Sequence, residues 1–151
     1  MEYTGAYALV LALHLLTVVF LVGPAALAAV TSGRHLREGR ADALRVAART
    51  TRTCTQGTLL AVLLGTGLVG LGAVGDQWEF GQVWVSASYV LWLAAVVLQL
   101  VVVVPAQEQA AALVEAGGDA GRLAGRLGTA AGLAMLCWAA IVVLMVVKPG
   151  A

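Results

Sequence analysis

The chain has 151 residues, 61% hydrophobic and 11% charged, with a net charge of +1 and a mean hydropathy of +0.93. A soluble domain carries about 25% charged residues, so this composition excludes a fold whose whole surface faces water. With no Lys-rich tail and no aromatic-interleaved basic patch, it also excludes nucleic acid as a partner.

Apolar runs of about 18 or more residues read as membrane spans. Four fit, and they fill the chain as a single integral membrane domain over 1–151. The expected fold is all-α: a four-helix transmembrane bundle whose natural partner is the lipid bilayer.

The first span runs from about Ala6 to Val30. Its start, MEYTGAYALVLAL, lacks a basic leader and carries Glu2, so it reads as a retained span rather than a signal peptide. Pro24 removes a backbone donor, which predicts a kink near Phe20–Pro24. His14 is the only ionisable side chain in any of the apolar cores.

Residues 31–56 form a basic loop. Gly33 and Gly39 mark its turn, and Asp42 is the expected N-cap of the next helix. Arg45, Arg49 and Arg52 recur at spacings of four and three, one helix face. That face reads either as a binding surface for anionic lipid headgroups or as the solvated flank that fixes topology.

The second span runs from about Gly57 to Val74. Gly57, Ala61 and Gly65 recur every four residues, a spacing that lets helices approach closely. Packing inside one bundle is the expectation, ahead of a homo-oligomer contact. The short acidic loop 75–82 follows, where Trp78, Phe80 and Trp84 fit an interfacial aromatic belt.

The third span runs from about Val83 to Val104 and ends at Pro105. Gln99, buried in it, is expected to bond across helices or to cap the kink. The loop 105–126 mirrors the first, with Gly117–Gly118 as turn, Asp119 as N-cap, and Arg122 and Arg126 four apart. The fourth span runs from about Leu127 to Val147, with Ala124, Gly128 and Gly132 as its small-residue stripe.

All eight Arg fall in the loops 31–56 and 105–126, whereas Asp76 and Glu79 lie in the loop 75–82. The positive-inside rule then puts the basic loops in the cytoplasm and both termini outside. Eight Arg against one Lys, in an Ala-, Val-, Leu- and Gly-rich chain, point to a high-GC bacterial source and so to a bacterial inner membrane. The halves also repeat. Pro24 matches Pro105, and Arg45 and Arg49 match Arg122 and Arg126, giving two helical hairpins related by an axis along the membrane normal. The position matching His14 is near Ala95.

An ionisable residue inside a membrane faces the bundle interior and is a functional candidate. Depth matching sets His14 level with Thr66, with Ser88 to Trp92 and with Cys137 to Ile141. Tyr89 and Trp92 would then surround it. His14 reads as a haem or metal ligand, or as a neutral packing residue bonded to a Ser, Thr or Tyr. Cys137, Met135 and Met145 are soft donors suited to copper, which makes His14 with Cys137 a candidate copper pair. Cys54 and Cys137 lie at different depths, so no disulfide is expected. His35 sits in the cytoplasmic loop, too far away to share an ion with His14. No span contains an acid or a Lys, and no triad, HExxH or phosphate-loop pattern is present. No catalytic residue is therefore assigned, and a non-enzymatic role, as a membrane-protein partner or assembly factor, is the leading expectation.

The stretch His14-Leu-Leu-Thr-Val-Val-Phe-Leu-Val-Gly23-Pro24 resembles the first-span motif of the copper-resistance protein D-like superfamily, a His followed nine residues on by Gly with an aromatic between. Four-helix bacterial members are similar along the whole chain. The superfamily includes the HemJ-type protoporphyrinogen oxidases, and that relation implies haem b at the first-span His. The haem-biosynthetic members carry a Lys in the third span, and Val83–Val104 has none. The usual Trp after the His is replaced as well, with Phe20 and Leu21 in its neighbourhood. What the resemblance implies is therefore haem or metal binding at His14 rather than the oxidase chemistry.

Overall fold

The computed structural model describes residues 5–74, 81–119 and 121–149. Trp78, Phe80, Asp76 and Glu79, read above as belt and outer-loop residues, lie outside them. Every described element is helical: α1 (Gly5–Arg37), α2 (Ala41–Val74), α3 (Val83–Val97), a π-helical turn (Leu98–Val103), α4 (Val104–Glu115) and α5 (Gly121–Val147). A backbone in lipid must satisfy its own hydrogen bonds, and a helix does so within one segment. The run from α3 through α4 is one continuous rod, so four rods are long and apolar enough to cross a membrane. The 33 residues of α1 extend about 50 Å, against a hydrocarbon core of about 30 Å. The polar ends of the rods therefore stand clear of the membrane.

The two inner turns are built alike. In the first, Gly39 N donates to Leu36 O and Arg40 N to His35 O; in the second, Gly117 N donates to Val114 O and Gly118 N to Leu113 O. This paired closure needs a left-handed residue after the helix, and Gly39 and Gly117 supply it with φ of 66° and 67°. The helices after these turns start differently. Asp119 caps α5, its Oδ1 accepting the Gly121 N–H at 2.9 Å. Asp42 does not cap α2, which begins at Ala41 and so takes Asp42 into its first turn, beside the positive end of the helix dipole. Gly33 likewise lies inside α1 and marks no turn.

The third rod does not stop at Pro105. The proline ring crowds the carbonyl four residues back and brings no N–H, and the turn before it widens into a π-helix in which Val104 N reaches Gln99 O. The rod then continues to Glu115.

α1 packs along α2, α5 against α3 and the π turn, α4 and the π turn against α2, and α5 against α1, closing a ring. The inner half is tight, built on Ala29, Leu36, Leu44, Val103, Ala106, Ala110 and Leu127. A second cluster joins Ala95 to Cys137, Trp138 and Ile141. A third cluster joins Val69 of α2 to Trp84 and Val85 of α3.

The two small-residue stripes behave differently. On α2, a Cβ at Gly57 would lie 3.0 Å from Leu21 Cδ1, and Ala61 is buried, so this stripe is consumed against α1. On α5, nothing lies within 4 Å of a Cβ at Gly128 or Gly132. The inward stripe of α5 is Leu127, Ala130, Ala134, Trp138 and Ile141 instead, because its larger apolar side chains fill the bundle centre. Trp84, expected in an interfacial belt, turns inward against Val69 and Val85.

Candidate functional site

The seat of His14 is prepared by the α2 stripe. A Cβ at Gly65 would come within 3.1 Å of His14 Cε1, so only a residue without a side chain lets the ring lie flat on α2. There His14, 6% exposed, sets Nδ1 2.8 Å from Ala61 O. A carbonyl only accepts, so Nδ1 carries the hydrogen and donates, and Nε2 keeps its lone pair. The partner is thus a backbone carbonyl and not the Ser, Thr or Tyr hydroxyl expected for a packing histidine. Nε2 has no hydrogen-bond partner among the described residues, and His14 lines a cavity.

That cavity, about 210 Å³, is walled by α1, α2, α3 and α5. Thr66, Ser88, Tyr89, Trp92, Trp138 and Ile141, all at the expected depth, line it together with His14. Cys137 does not: it is buried in the cluster with Ala95, and Met135 is an exposed residue of α5. Met145 is the soft donor that reaches the cavity. Among the described residues no three His, Cys, Asp or Glu side chains gather as a metal site.

The hydrogens of the cavity wall are already used. Thr66 Oγ1 donates to Val62 O, so the 2.5 Å contact between Thr66 and Tyr89 is a bond donated by the Tyr89 hydroxyl. Thr58 Oγ1 donates to Thr55 O and accepts the Trp92 indole N–H at 3.0 Å. Ser88 Oγ donates to Trp84 O, and Trp84 Nε1 to Gln82 Oε1. At the outer rim Lys148 Nζ stands 5.8 Å over the Trp84 ring. Burial pushes the Lys148 ammonium below the usual lysine value.

Below the cavity, a buried polar seam follows Thr58, Thr55 and Thr51 down α2. Thr55 Oγ1 donates to Gln99 Oε1 at 2.9 Å, the cross-helix bond expected of Gln99. Gln107 Nε2 donates to Ser32 Oγ at 2.7 Å and reaches Thr51 Oγ1 at 3.3 Å. Gln99 Nε2 and Gln107 Oε1 are buried without partners. The sequence reading passed over Gln107, Ser32 and Thr51. The four- and three-residue spacing of the threonines at 51, 55 and 58 is the signal that marks this face.

At the arginine-rich end, Arg45 pairs with Glu115, and Arg52 with Glu108 at 2.9 Å. These partners are seven apart on both helices, so the pairs form an antiparallel ladder between α2 and α4. Arg49, between them, is exposed and has no ion pair among the described residues. Two of the three arginines read as a lipid-facing row are thus shared with carboxylates of the same chain.

No curated protein and no solved structure matches the chain. The family described as predicted integral membrane protein (DUF2269) matches residues 8–149. The chain thus belongs to the DUF2269 family of predicted integral membrane proteins.

Proposed function

We propose that the protein is a non-enzymatic binding protein of the bacterial inner membrane, with both termini outside and the His14 cleft as its site. One observation carries this reading. His14 lines an apolar, aromatic cavity with one imidazole nitrogen unpartnered while the opposite N–H is tied to Ala61 O. Ligating histidines are held in this way, their second nitrogen donating to a carbonyl or carboxylate.

The resemblance implies haem b, and the donor set fits while the space does not. A cavity of about 210 Å³ falls below the roughly 300–1,000 Å³ of pockets that enclose drug-sized ligands, and a porphyrin is larger than most of these. For copper, His14 and Met145 share the cavity but Cys137 stays outside it. A small guest that hands a hydrogen-bond donor to Nε2 fits this cleft better than either.

The test is extraction of the small molecules that co-purify with the protein in mild detergent, with an absorption spectrum. Wild type, His14→Ala and Gly65→Leu are compared, each checked for helix content. The expected result is a small molecule present in wild type, depleted in both variants, and no Soret band. Identical extracts from all three would remove the reading. A Soret band lost in His14→Ala would replace it with the haem reading.

A further inference from the structure

The same cleft selects its guest by hydrogen-bond polarity, an inference that rests on the reading above. We propose that the guest is a membrane-soluble hydroxyarene, a hydroquinone or alkylated phenol, which donates its O–H to His14 Nε2.

Around the cavity, His14, Thr58, Thr66, Ser88, Tyr89 and Trp92 all give their hydrogens to protein acceptors. Trp138 Nε1 is buried without a partner but is sealed from the cavity. Tyr7 and Lys148, at the outer end, are engaged in contacts of their own. Away from Tyr7 and Lys148, the cleft therefore offers lone pairs and no hydrogens. A guest bearing only acceptors finds little to bond beside His14, whereas a guest with an O–H satisfies His14 Nε2, which has no hydrogen-bond partner among the described residues.

Shape narrows the class further. Tyr89, Trp92 and Trp138 supply flat aromatic walls, suited to an arene by offset or edge-to-face packing. The volume of about 210 Å³ admits a single substituted ring rather than a macrocycle. Leu11, Val18, Val22 and Ile141 make the rest of the lining apolar. A hydroquinone and its oxidised quinone share ring and tail and differ in the hydrogens. The cleft therefore discriminates between them in favour of the reduced form.

The test uses full-length protein in detergent under anaerobic conditions, titrated by calorimetry with decylhydroquinone, decylquinone, the dimethyl ether of the hydroquinone, and decylbenzene. A lost bond to a desolvated acceptor predicts that the hydroquinone binds about tenfold or more tighter than each of the other three. In His14→Phe the preference collapses to about unity. The ether series leaves the protein unaltered, so the result stands even where a variant folds poorly. Quinone, ether or decylbenzene binding within about threefold of the hydroquinone would overturn the proposal, since the site would then hold a ring or a lipid tail without reading its hydrogens. Absence of binding by all four overturns the hydroxyarene class. The site reading itself falls only if the co-purifying molecule is indifferent to His14→Ala and Gly65→Leu.

Discussion

Gly65 and His14 fit as slot and blade: a Cβ on the glycine would stand 3.1 Å from Cε1 of the ring and 3.4 Å from Nδ1. The contact sets the approach of α1 to α2 in the outer half, and it brings the imidazole within reach of Ala61 O at 2.8 Å. The glycine thus acts on the cleft through the ring it admits.

Gly65→Leu should force the ring out of its seat. Overpacking of this kind costs about 1–3 kcal/mol, read as a lowered midpoint of thermal unfolding in detergent. Gly67→Ala is the control, since nothing lies within 4 Å of its Cβ. Equal effects of the two substitutions would show that His14 does not rest on Gly65.

The α5 glycines give a second contrast. Gly132→Leu adds a side chain on an open face and should change monomer stability by less than about 0.5 kcal/mol. Ala134→Leu, at a position 1% exposed, should cost about 1–3 kcal/mol. Chemical denaturation in mixed micelles separates the two, and a reversed order would mean that α5 presents its other face to the bundle.

In the seam, Gln107→Leu removes the bonds to Ser32 and Thr51 and should cost about 1–2 kcal/mol, the scale of interhelical hydrogen bonds in membranes. Gln99→Leu removes one accepted bond together with an unpartnered amide nitrogen, so it should be milder, within about 1 kcal/mol. A larger loss at 99 than at 107 would mean that Gln99 Nε2 is satisfied in the folded protein.

At the arginine-rich end, Arg49→Ala should weaken association with vesicles rich in anionic lipid by about 1 kcal/mol. Arg45→Ala and Arg52→Ala should weaken it less, because Glu115 and Glu108 already neutralise those charges. Each exposed pair contributes under about 1 kcal/mol to stability. Three equal vesicle effects would contradict the ladder.

The sequence made the larger features legible for physical reasons. Length and apolarity announced the four rods, because lipid permits few other backbones. The polarity of His14 announced its inward orientation, and the four-residue spacing of Gly57, Ala61 and Gly65 announced a close helix contact. What stayed hidden depended on packing. The Gly128 and Gly132 stripe looked like the α2 stripe, yet Leu127, Trp138 and Ile141 turn α5 the other way. Pro105 marked a break, but the helix absorbed it by widening one turn, a choice that local sequence does not specify. The acceptor of the His14 N–H is a backbone atom and leaves no trace in side-chain chemistry.

The polarity of the cleft depends on which nitrogen of His14 carries its hydrogen, and nitrogen NMR of protein labelled with ¹⁵N-histidine reads that directly. His35→Gln removes the second signal. With the ring donating to Ala61 O, the spectrum should show the Nδ1–H tautomer with an unprotonated Nε2, and its Nε2 resonance should move when decylhydroquinone is added. An Nε2–H tautomer, a ring averaging between the two, or a doubly protonated ring would contradict the cleft described here.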